Sequence, residues 1–110
     1  MAYDEGVAQR VREALEAYPN MAEKRMFGGL AFMLNGHMCV GVLGSELMVR
    51  VGPEQYAECL ELPHARQMDF TGQPLTGFLF VDEKGIEADK DLSAWVKRAT
   101  RFVASLPPKR

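Results

Sequence analysis

Apolar residues recur every three or four positions at the start of the chain, at Val7, Val11, Leu15 and Tyr18, with Glu5, Arg10, Arg12, Glu13 and Glu16 around the rest of the circumference. That spacing predicts an amphipathic helix, stopped by Pro19-Asn20. From Glu23 to Val51 the helical period disappears and turn pairs take over: Gly28-Gly29, Asn35-Gly36 and Gly44-Ser45. Four short strands follow, over residues 24–27, 30–34, 37–42 and 47–51, joined as a meander. Asn35-Gly36 marks the firmest turn, because a two-residue type I′ hairpin needs positive φ at both central positions and these residues tolerate it best. Pro53 suits the first turn of a short helix reaching about Leu60, and Pro63 ends it. Residues 67–70 and 77–81 read as two more strands around a Thr71-Gly72-Gln73-Pro74 turn. The last element is a helix capped by Asp89 or Asp91, with Leu92, Trp95, Val96, Ala99, Phe102, Val103 and Leu106 on one stripe, closed by Pro107-Pro108.

Without repeat, low-complexity tract or linker, these elements predict one α+β domain over residues 1–110: an antiparallel meander sheet with N-terminal and C-terminal helices packed on it. Composition agrees with a packed core, since 47% of the 110 residues are hydrophobic and 25% charged. The formal charge of −2 argues against a surface built throughout to hold phosphates. No apolar run approaches the roughly 18 residues of a membrane span, and the first residues lack a secretory pattern. The cytoplasm is the expected compartment. Cys39 and Cys59 are too few for a disulfide scaffold.

Arg25-Met26-Phe27-Gly28-Gly29, an apolar strand, Asn35-Gly36, a second apolar strand, Leu47-Met48-Val49-Arg50-Val51 and the terminal helix with Trp95 follow one another in that order. In this order and spacing, over nearly the whole chain, the sequence resembles the N-terminal domain of the TfoX/Sxy family. The resemblance implies a small α+β fold similar to the type III secretion-chaperone arrangement, often found as a dimer. It also implies a regulatory connection, because full-length members regulate natural competence and add a C-terminal helical domain thought to touch nucleic acid. Only the first domain's pattern is present here, so that activity does not transfer with the resemblance. No catalytic residue and no cofactor come with it.

A face count through the hairpins suggests where a partner would sit. Two-residue turns place Leu34 opposite His37, Phe32 opposite Cys39, Leu30 and Met48 opposite Gly41, and Cys39 opposite Arg50. One face then holds Ala31, Met33, Met38, Val40, Val42, Leu47, Val49 and Val51, the expected core beneath the helices. The other holds Leu30, Phe32, Leu34, His37, Cys39, Met48 and Arg50, too apolar for open water. Helices in so short a chain do not cover both sides of six strands, so the second face is expected to meet a partner, most simply a second copy. The alternative is that one helix or the loop over residues 63–67 folds over it.

Four further constellations could carry chemistry. Cys39 beside Arg50 and His37 would suit a reactive thiolate, but residues two apart on a strand lie roughly 6.5–7 Å apart and nothing orients the imidazole, so a buried core cysteine is the better reading. His37, Cys39, Cys59 and His64 lack a recognised zinc spacing, and no metal is expected. Gly28-Gly29 precedes a strand and no GK[ST], which favours a bend over a phosphate loop, with Met26 and Phe27 as packing residues. Lys97, Arg98, Arg101, Lys109 and Arg110 crowd the C-terminal end, where they offset the helix dipole; nucleic acid is the less favoured use.

The expectation is a non-enzymatic regulatory or protein-interaction module, a homodimer with a regulatory protein partner. Arg25, Phe32, His37, Cys39, Met48 and Arg50 form its contact region, with Lys24 adding to the positive patch at Arg25 and Arg50. No cofactor, metal or membrane is involved. The alternatives are a weak nucleic-acid binder using the basic helix, and a thiol enzyme at Cys39.

Overall fold

In the computed structural model, which describes residues 3–26, 28–69 and 74–107, Asn35 and Gly36 take φ angles of 54° and 84°. The two-residue turn they form sets Leu34 opposite His37. It joins β2 (Gly29–Leu34) to β3 (His37–Leu43). Ahead of it lie α1 (Glu5–Ala14) and β1 (Met21–Met26); after it come β4 (Glu46–Arg50), α2 (Tyr56–Leu60), β5 (Ala65–Asp69), β6 (Pro74–Val81), a 3-10 turn at Glu83–Ile86 and α3 (Asp89–Ala104). The six strands make one antiparallel sheet in the order β1-β2-β3-β4-β6-β5. The α+β class is therefore as expected. The first four strands are a meander, whereas β6 returns beside β4 and leaves β5 at the edge.

Several boundaries move for local reasons. Helix α1 begins where the Asp4 carboxylate accepts from the amides of Gly6 (2.8 Å) and Val7 (3.2 Å). It ends at Ala14, ahead of Pro19, and Leu15 closes it. Neither Asp89 nor Asp91 caps α3: the cap position is Ala88, with no side-chain bond. Both aspartates instead occupy the first turn, where the positive end of the helix favours them. Asp89 pairs with Arg10 of α1 at 3.1 Å. The same guanidinium donates to the carbonyls of Ile86 (2.6 Å) and Glu87 (3.2 Å), fastening α1 to the entry of α3. The 3-10 turn, which carries no periodic signal, is held by Asp82 accepting from the Gly85 amide at 3.1 Å. Phe27, Thr71-Gly72-Gln73, Lys109 and Arg110 lie outside the described residues. At the glycine pair, Gly28 has φ 77°. Gly29 packs so closely on the Val42 carbonyl that a Cβ there would collide with it.

The helices share one side of the sheet. Val7, Ala8, Val11 and Leu15 of the first helix and its end, Cys59 of α2, and Leu92, Trp95, Val96, Ala99 and Val103 of α3 are buried in one cluster. Leu30, Phe32, Leu34, Val40, Val42, Leu47, Val49, Val51, Leu79 and Val81 supply the sheet side of that cluster. Thr100, the one buried polar residue of α3, is bonded to the Tyr18 hydroxyl (3.1 Å) and donates to the Lys97 carbonyl (3.2 Å). Among the described residues no helix is long and apolar enough to cross a membrane.

Candidate interaction surface

The pairing of β2 with β3 slips by one residue. Met33 faces Met38 but Phe32 faces Val40, so Cys39 is the extra residue of a β-bulge. This corrects the face count. Phe32 is not opposite Cys39, nor Leu30 opposite Gly41: Leu30 pairs with Val42. The second turn is as expected, with Leu43 opposite Glu46 and Gly41 opposite Met48. The slip therefore turns β2 over relative to the sequence reading. Leu30, Phe32 and Leu34 point at the helices, and Ala31, Met33 and Met38 go to the far side.

The six expected contact residues consequently part company. Phe32, 1% exposed, belongs to the core beneath the helices. Cys39 is wholly buried there as well. His37 stands on the helix side, its Nε2 2.7 Å from the carbonyl oxygen of Pro107 beyond α3. Arg25 is exposed on edge strand β1, paired with Leu30 and so on the helix side, while Lys24 pairs with Ala31 on the other. Met48 and Arg50 alone keep their assigned face. Arg25 and Arg50 lie three strands apart, about 14 Å at ordinary strand spacing, so no single positive patch joins them. Arg50 is occupied structurally: its guanidinium lies 5.2 Å from the Phe78 ring centroid and 5.6 Å from that of Phe102. Its Nη1 also donates to the Met38 carbonyl at 3.4 Å, next to the bulge.

The far face is a second apolar cluster to which no helix residue belongs. Met48, Met68 and Phe80 are buried in it, with Met38, Leu43 and Phe78 packed around them and partly exposed. Met26 and Met33 extend it across β1 and β2, each half-buried. Charges frame it: Arg66 makes a two-pronged bond to Glu46 (2.6 and 2.7 Å) and lies 4.9 Å from the Phe80 ring, and Lys24 stands at the opposite margin. An apolar centre with a charged margin is the anatomy of a protein contact surface. Methionine, unbranched and polarizable, suits one that must adapt to its partner.

The cysteines and histidines of the other constellations are also placed by the structure. Burial pushes the Cys39 thiol up to about 12, although Arg50 pulls the other way. A thiol kept neutral and out of water is a poor nucleophile. Below about pH 9 the folded and unfolded thiols are both protonated; above it only the unfolded one ionises, until the folded group follows near 12. Stability is therefore expected to fall as pH rises from about 9 toward 12. Cys39→Ala should flatten that part of the urea-midpoint profile, and iodoacetamide should label native Cys39 only as fast as the chain opens. His64 pairs with Asp82 at 3.1 Å. Among the described residues, no group of three or more His, Cys, Asp or Glu side chains is placed to hold a metal.

The model of the TfoX N-terminal domain matches residues 13–103. The chain belongs to the TfoX N-terminal domain family. No curated protein and no solved structure matches it. The match runs from the middle of α1 through nearly all of α3, and so takes in the whole sheet and both of its faces. Sequence reasoning missed Met26, Met33, Met38, Leu43 and Phe78 as partly exposed residues of this TfoX N-terminal domain's far face, with Phe80 buried among them. The signal that could have found them was the concentration of methionine, seven in 110 residues, five of them on one side of the sheet.

Proposed function

We propose that the TfoX N-terminal domain is a non-enzymatic protein-interaction module that pairs with a second copy through its helix-free sheet face and serves a regulatory partner. The observation that carries this reading is the set of partly exposed apolar side chains, Met26, Met33, Met38, Leu43 and Phe78, on a face to which no helix contributes. A two-fold contact would set this patch against itself and cover it with the same chemistry it already contains. The regulatory role that the family resemblance implies supports docking over catalysis.

Sedimentation at micromolar concentration tests it: the native chain should run as a dimer. Met38→Asp should run as a monomer with its circular dichroism unchanged, weakening the pairing at least about tenfold because the two-fold axis buries the unpaired charge twice. A native chain that sediments as a monomer at every concentration removes the pairing.

A further inference from the structure

A groove on the helix side of the sheet makes no use of the methionine face. It lies between the end of β4, the turn entering α2 and the C-terminal half of α3, and encloses about 370 Å³. Val51, Pro53 and Phe102 give it an apolar floor; Arg98, Arg101 and Glu54 bring charge to its walls. The floor is firmly built. The amides of Val51 and Gly52 both donate to the Gly77 carbonyl, at 2.8 and 3.1 Å. Gly52 takes φ 87°, and the Phe102 ring lies where a side chain at that position would project.

The walls carry unspent charge. Elsewhere Arg10, Arg12 and Arg66 each hold a carboxylate, from Asp89, Glu23 and Glu46. Arg98 and Arg101, one turn apart on α3, pair with no carboxylate among the described residues. Arg98 lies 4.6 Å from the Trp95 ring centroid, a contact that holds the guanidinium without neutralising it. Two cations and one carboxylate, Glu54, thus line an apolar slot whose volume falls within the range of small-molecule sites.

We infer that this groove binds a small organic monocarboxylate of about a dozen non-hydrogen atoms in all, most of them an apolar body. The carboxylate bonds to the guanidinium forks of Arg98 and Arg101, which match its two oxygens, and the body lies on Phe102, Pro53 and Val51. Glu54 opposes a second negative charge, which selects a monoanion over phosphate.

An amide-resolved NMR titration with 3-phenylpropionate tests the assignment. Saturable shifts are expected at Val51, Gly52, Arg101 and Phe102, with a dissociation constant on the order of 1 mM for a ligand this small. The uncharged 3-phenylpropionamide and Arg101→Ala should each weaken binding about tenfold, the loss of one charge-assisted contact. Arg101 is exposed and pairs with no carboxylate among the described residues, so the variant's spectrum away from α3 should be unchanged. Absence of saturable shifts at these amides overturns the inference. So does equal binding by the amide or by inorganic phosphate, or an unaffected Arg101→Ala. None of these results bears on the pairing of the methionine face.

Discussion

Phe32→Ala should lower the unfolding free energy by about 3–5 kcal/mol, the cost of emptying a ring-sized volume in a packed core. Phe32 is 1% exposed and sits in the cluster formed with α1 and α3. For a chain of this length each kcal/mol moves the midpoint by roughly 4–8 °C, so thermal melting followed by circular dichroism should show a drop of about 15 °C or more. The direction discriminates between the two registers of β2. With the regular hairpin, Phe32 would face outward; truncating it would spare stability and abolish pairing. A variant that melts like the parent but sediments as a monomer would show that the bulged register is wrong.

Gly52→Ala should cost about 2–4 kcal/mol, from two causes that can be separated. One is the left-handed backbone, which disfavours any Cβ by roughly 1 kcal/mol. The other is collision of that Cβ with the Phe102 ring, an overpacking cost of roughly 1–3 kcal/mol. In a Phe102→Ala background the collision disappears and only the backbone cost remains. Urea denaturation of the four species should therefore yield a coupling energy of about 1–3 kcal/mol; additive effects would mean that ring and glycine do not meet.

The elements were largely legible because each is announced locally. Asn35-Gly36 can take positive φ at both positions, and the stripe from Leu92 to Val103 repeats at helical spacing, so neither needs tertiary information. What could not be read is the bulge. Alternation along β3 looks unbroken, no glycine or proline marks Cys39, and the slip is decided by which pairing buries Phe32 and the leucines beside it. A count that assumes strict alternation sends all of β2 to the wrong side, and with it Phe32 of the expected contact region. Met48 and Arg50 escaped because the turn between β3 and β4 is regular and lies beyond the slip. The N-cap of α3 departs from expectation for a related reason: Asp89 is a good capping residue, but its carboxylate is bonded to Arg10, 79 positions away in sequence. The groove under Arg98 and Arg101 had no local signal at all, because its floor is assembled from β4 and the far end of α3.

Cys39 acts as a phase shifter for its hairpin. Deleting that single codon would remove the bulge and leave every other side chain where it is, with Met38 still outward opposite Met33 and His37 still inward opposite Leu34, because strict alternation back from Val40 then gives those same faces. Relatives should therefore be superposed through this segment with a one-position gap allowed at residue 39; otherwise inward and outward side chains would be exchanged on every strand before it.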